Sequence, residues 1–254
     1  MTADLRVHAT VDALMAATAE EVLGAAAAAV TDTGRFAIAL AGGSTPRRLY
    51  GLLATAPYTT HIPWPRAEVF FGDERCVPPD ADASNYRMAR EALLARVPVP
   101  ATQIHRIHGE EAPEAAATAY EHRLRAAFAT PAGPPQPVPG RCLDLVLLGM
   151  GDNGHTLSLF PHSWTVHERE RWVVADTVDA TPRERVTLTA PVVNAARHVL
   201  FLVVGAEKAS MLRRVLEGPH DPDALPAQLV APTNGRLTWM VDAAAAAELA
   251  RRPT

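Results

Sequence analysis

His155 closes a glycine-rich turn, Gly149-Met150-Gly151-Asp152-Asn153-Gly154, that follows the apolar run Leu143–Leu148. A histidine there can move a proton near neutral pH. Glycines between a strand and a helix let the backbone approach a ligand closely. The pattern predicts a buried strand, the turn, and a helix beginning at His155. A tight connection with an incidental histidine has the same local pattern, so the turn alone decides nothing.

Two other segments carry residues of the right kind. Phe36–Leu40 reads as a short strand, followed by the turn Gly42-Gly43-Ser44-Thr45 and by Pro46, which suits the first position of a helix. Such a helix start offers free N–H groups and a positive dipole end to a phosphate. Ser44 or Thr45 would cap the helix or touch the anion. Glu68–Phe71 reads as another strand, ended by Gly72. Asp73, Glu74 and Arg75 follow, beyond a strand's C-terminal end, where α/β sheets place functional groups. A solvated loop would read the same way. Ser84 opens a further helix through Leu94.

The elements that position these groups alternate along the chain. Leu5–Ala9 reads as a first strand and Val11–Val30 as a helix ending near Thr31–Gly34. Ala112–Phe128 reads as a helix, and the proline-rich stretch 130–140 as a surface linker. Short β-rich runs follow at Trp172–Thr177 and Arg185–Thr189, then buried strands at His198–Val204 and Arg236–Val241. No internal repeat is visible. The pattern predicts one α/β domain over residues 1–254, a doubly wound, mainly parallel sheet with helices on both faces.

Composition fits an enzyme of small molecules. The chain has 254 residues, 48% of them apolar, enough to build a large core. The net charge of −4 and the lack of a basic run argue against a nucleic-acid partner. Cys76 and Cys142 are too few for a disulfide framework and are expected reduced. The N-terminal segment lacks the apolar core of a signal peptide, and the alanine run at 25–30 is too short to span a membrane. No membrane partner and a cytoplasmic location are expected. The oligomeric state is left at monomer or small homo-oligomer.

Taken together, AGGSTP, FFGDERCVP with SNYRMAREALL, and LGMGDNGHTLSLFP resemble the 6-phosphogluconolactonase family. FLVVGAEKASMLRRVL, which carries Lys208, and PAQLV with GRLTWMVD extend the resemblance in order from about residue 8 to 246. It implies a Rossmann-like fold shared with glucosamine-6-phosphate deaminases and ribose-5-phosphate isomerases. It implies hydrolysis of 6-phospho-D-glucono-1,5-lactone to 6-phosphogluconate in the oxidative pentose phosphate pathway, with no metal or other cofactor. It also implies roles. His155 would be the general base toward water, Asp73 would orient or polarise the site, and Arg75 would stabilise developing charge or hold the phosphate. Gly42, Gly43, Ser44 and Thr45 would cradle the phosphate, with Lys208 as a second cation. Gly151, Asn153 and Gly154 would line the substrate site. Asn153 departs from the family's commoner aspartate, which keeps hydrogen bonding but removes a charge.

Five other readings compete. A deaminase has a glutamate where this chain has Phe160, and a tyrosine where it has Arg75. A serine hydrolase would need the G-x-S-x-G elbow, which Ser44 lacks. A metallohydrolase would need clustered ligands; His155, His162 and His167 are near in sequence but show no H-E-x-x-H spacing, and His105 and His108 read as surface residues. GMGDNG has the spacing of a dinucleotide fingerprint but lies late in the chain, without the following acidic residue on a second strand. A sugar-phosphate sensor would share the fold without catalysis.

Overall fold

The computed structural model describes residues 3–128 and 137–250. Among the described residues, nine strands and seven helices follow one another along the chain. The strands are β1 (Asp4–His8), β2 (Phe36–Leu40), β3 (Ala67–Phe71), β4 (Asp73–Arg75), β5 (Leu145–Gly149), β6 (Val173–Thr177), β7 (Glu184–Leu188), β8 (His198–Val203) and β9 (Arg236–Asp242). The helices are α1 (Val11–Thr33), α2 (Ser44–Leu53), α3 (Tyr58–His61), α4 (Asn85–Ala89), α5 (Pro113–Phe128), α6 (Ala190–Asn194) and α7 (Ala209–Glu217).

Six strands form one parallel sheet in the order β1-β9-β8-β5-β2-β3. Its inner strands β2 and β8 are buried end to end, which is why they read as continuous apolar runs. Phe201 of β8 and Trp239 of β9 are register partners whose rings stack with centroids 3.9 Å apart. From β2 the chain winds outward to β3, whereas from β5 it winds the other way to β8 and β9. Winding therefore reverses between β2 and β5. Open α/β sheets bind ligands in the crevice at such a point, beyond the strands' C-terminal ends.

A second sheet of three antiparallel strands, β4-β7-β6, sits at the exit of β3. Asp73-Glu74-Arg75 is thus a paired strand and not the solvated loop its charges suggested. It pairs antiparallel with β7, and Gly72 is bonded on both sides, its N–H to Leu40 O (2.9 Å) and its C=O from Leu188 N (2.8 Å).

Three further expectations are corrected. No helix begins at His155: Gly151 N donates to His155 O (2.8 Å), Thr156 and Leu159 form an isolated bridge, and Leu157 takes a φ of 55°. A positive φ at a non-glycine residue breaks helical winding. Helix α2 starts at Ser44, so Pro46 is its third residue, still within the first turn where a missing N–H costs nothing. Helix α4 is short and widens into a π turn over Arg90–Leu94. Helix α1, at 23 residues, is long and apolar enough to cross a membrane by length and composition, unlike its alanine run alone. Here its Leu14, Met15, Val22 and Ala26 are buried in the core. The linker expected at 130–140 lies largely outside the described residues.

Candidate active site

A cleft of about 400 Å³ opens where the winding reverses. Its wall includes Gly42 and Gly43 after β2, Asp73 and Arg75 of β4, Gly149 at the end of β5 with Gly151 and His155 beyond it, and Arg185 of β7. A larger groove of about 510 Å³ lies against α5, between Tyr86, His105, Arg106 and Arg123. A cavity of about 560 Å³ beside Ala3, Asp4 and Leu237 is larger still, so size does not pick out the site. The smaller cleft has the strand ends and the convergent titratable groups, and it is the candidate site.

Buried tyrosines pin the ends of two strands. Tyr50 of α2 accepts from Ala41 N (2.9 Å) and donates to Ala41 O (2.8 Å). Tyr120 of α5 does the same for Phe71, at 2.7 and 3.0 Å. Each satisfies backbone groups where a strand leaves the sheet.

His155 is fixed on three sides. Its backbone N–H donates to Asn153 Oδ1 (3.2 Å), and Nδ1 lies 2.6 Å from that same atom. A backbone N–H only donates, so the atom facing it is the amide oxygen, and Nδ1 must carry the proton. Nε2 is then the basic nitrogen, and it has no hydrogen-bond partner among the described residues. The ring stacks on Phe160, centroids 4.2 Å apart. Gly151 lies against its Nδ1–Cε1 side, where a Cβ would come within 2.1 Å of the imidazole, so only glycine fits. Burial pushes the His155 imidazole below its ordinary value, with Asp73 opposing and Lys208 adding to the fall.

The acid and the arginine of the Asp-Glu-Arg run face the cleft, while the glutamate turns inward. Asp73 Oδ2 accepts from Ser158 Oγ (2.7 Å) and Oδ1 from Asn85 Nδ2 (3.2 Å). Arg75 Nη1 donates to Ala83 O (2.8 Å) and Asn85 Oδ1 (2.6 Å). Glu74 is buried and serves as a cap. Its Oε1 accepts from the backbone of Arg75 (2.9 Å) and Asn85 (2.7 Å), and its Oε2 from Tyr86 N (2.8 Å) and Ser84 Oγ (3.1 Å). Burial pushes its carboxyl above the usual range, against the pull of those N–H groups. Glu74 therefore locks β4 to the start of α4 and so places both Arg75 and Asn85.

Several expected residues sit elsewhere. Ser44 is exposed and Thr45 half-buried; neither is on the cleft wall, and neither caps α2. Lys208 lies in a 3-10 turn before α7, ion-paired with Asp152, and is also off the wall. Gly154 accepts from Ala227 N (2.9 Å), so the PAQLV segment braces the turn. His162 and His167 both face Asp223, at 2.6 and 3.1 Å. Among the described residues no group of three or more His, Cys, Asp or Glu is placed to hold a metal. His105 is not a surface residue: it pairs with Glu68 and packs at a tilt against Phe70, centroids 4.6 Å apart.

Asn85, Ser158 and Arg185 were not singled out from the sequence as site residues. Asn85 had one signal: Gly42 has no room for a Cβ, which would meet Asn85 Oδ1 at 2.0 Å. The small residue after β2 makes space for a side chain 43 positions away, which sequence spacing cannot show.

The family model for glucosamine-6-phosphate isomerases/6-phosphogluconolactonase matches residues 9–239, and the chain belongs to that family. A 6-phosphogluconolactonase of Nostoc sp. is 42% identical over 240 residues, covering 93% of this chain and 94% of the relative. The human 6-phosphogluconolactonase is 43% identical over 218 residues, covering 84% of this chain and 80% of the relative. The solved 6-phosphogluconolactonase of Trypanosoma cruzi superposes with a TM-score of 0.85 at 29% identity, over 98% of each chain.

Proposed function

We propose that the protein hydrolyses 6-phospho-D-glucono-1,5-lactone to 6-phospho-D-gluconate, in the oxidative pentose phosphate pathway and in the cytoplasm. One observation carries the mechanism: the hydrogen bond of Nδ1 to Asn153 leaves His155 Nε2 basic, on a cleft shared with Asp73 and Arg75. Relatives that carry the lactonase name support the substrate.

In this reading Nε2 takes a proton from water as the water oxygen attacks C1 of the lactone. The C1 carbonyl becomes an oxyanion, which needs positive charge nearby. As the tetrahedral species collapses, the bond from C1 to the ring oxygen breaks, and the imidazolium returns its proton to that oxygen. The product is the open-chain acid, which ionises. Asp73, held by Ser158 and Asn85, steadies the transient imidazolium through space. Gly42 and Gly43 offer backbone to the phosphate, and Arg75 supplies positive charge to the anionic substrate. Phe160 favours hydrolysis over deamination, because a phenyl ring stacked on His155 cannot transfer a proton.

Acid release from freshly generated lactone, read above spontaneous decay, tests this. Activity is expected to persist in excess chelator. Activity that vanishes with chelator and returns with zinc would refute the water-and-histidine mechanism.

A further inference from the structure

His155 and Phe160 are five residues apart. In a helix two such residues project about 140° apart and do not meet. Here the chain doubles back instead. Leu157 holds a φ of 55°, and Leu159 N donates to Thr156 O (3.0 Å). The Phe160 ring comes to lie on the imidazole, centroids 4.2 Å and planes 17° apart. A positive φ at leucine is strained and persists only where its surroundings enforce it. Three contacts do so. Leu157 packs on Gly72, where a Cβ would meet its Cδ2 at 2.6 Å. Ser158 N donates to Thr187 Oγ1 (3.2 Å), and Thr156 Oγ1 donates to Gly149 O (2.9 Å). The strained turn thereby delivers the Ser158 hydroxyl to Asp73 and a phenyl face to His155.

The face of a phenyl ring is the negative side of its quadrupole, and it attracts a cation laid over it. His155 is a cation only while it holds the proton taken from water. Burial opposes that state, and Lys208 and Arg185 add to the opposition, whereas Asp73 and Asp152 favour it. Arg75 lines the same cleft. Nδ1 is held by the neutral amide of Asn153, which adds no negative charge. Phe160 covers the face of the imidazole and has neither a lone pair nor a transferable proton. It favours the imidazolium without engaging Nε2. A carboxylate in its place would also favour the cation, but it would compete for the proton.

We propose that Phe160 is a positioning residue for the hydrolysis: its ring fixes the plane of the His155 imidazole, and its π face stabilises the imidazolium formed as water is deprotonated. The backbone strain at Leu157 serves this contact. The inference rests on the lactonase reading and deepens it by assigning the group that supports the general base.

Replacing Phe160 by pentafluorophenylalanine tests it, because fluorine drains the ring face and nearly keeps its shape. Proton NMR of the ligand-free protein follows the titration of His155 Cε1–H, and steady-state kinetics follow the lactone. The imidazolium loses support, so the His155 midpoint is expected to move to lower pH, and the acid limb of kcat/KM with it. On the plateau kcat is expected to fall about 3–10-fold at unchanged KM. A trifluorinated ring is expected to fall between, and it decides the matter if the pentafluoro variant does not fold by thermal melt. Phe160→Tyr keeps an electron-rich face and is expected to keep the wild-type midpoint. A midpoint unmoved or raised in a folded fluorinated variant would overturn the proposal, as would a loss carried by KM with kcat intact. Wild-type protein that fails to hydrolyse the lactone would instead refute the lactonase reading, and the NMR midpoints would still decide the ring contact.

Discussion

The two sheets handle charge in opposite ways. In the six-stranded sheet the inner strands are apolar, and Arg6 and Arg197 at its margins are ion-paired: Arg6 with Asp4 (2.7 Å) and Glu21 (2.6 Å), Arg197 with Asp32 (2.6 Å). In the three-stranded sheet Arg75 and Arg185 face each other with only neutral acceptors. The large sheet is arranged for stability. The small one holds an electrostatic conflict that a bound anion would resolve. Local rules of consistency tend to be broken at functional sites, and here the breach falls at the switch point of the larger sheet.

The contrast predicts that damage to the two sheets will read out differently. Phe201→Ala removes half of the ring stack in the large sheet. It is expected to cost about 3–5 kcal/mol of stability while the folded fraction keeps its KM. A thermal melt and steady-state kinetics on one preparation separate the two. A raised KM at unchanged stability would erase the distinction between scaffold and site.

Two histidines sharpen the same comparison with a smaller effect. His198, on β8, bonds Thr238 Oγ1 (3.0 Å), and burial and Arg236 push it down to about 4. Its native form is neutral, so its contribution to stability is full above the ordinary value of 6.5 and lost as pH falls toward about 4. His155 is also lowered, first by burial. As a base it works only unprotonated, so kcat/KM is expected to hold as pH drops past 6.5 and to fall only below it. A pH–rate profile beside a pH–stability curve checks both. An acid limb at or above the ordinary histidine value would contradict the burial argument for His155.

The large sheet was legible because buried parallel strands are apolar runs punctuated by glycine. Phe36–Leu40 matches β2 residue for residue, and His198–Val204 overruns β8 by one. The segment after His155 was not legible. Its apolar residues Leu157, Leu159 and Phe160 suit a helix, but successive turns and the positive φ of Leu157 override local preference. Arg185 sat in a run read only as a strand, because its partner Arg75 lies 110 positions earlier and no local pattern joins them. Lys208 looked like a free cation because Asp152, its partner, is brought in by the fold.

The central claim is that His155, not a serine, activates the attacking group. Kinetics of His155→Ala beside Ser44→Ala on 6-phosphogluconolactone test it most directly. The account predicts that His155→Ala lowers kcat by about 10²–10⁴-fold with 6-phosphogluconate binding largely retained, and that Ser44→Ala costs far less. Turnover abolished in Ser44→Ala and preserved in His155→Ala would contradict it.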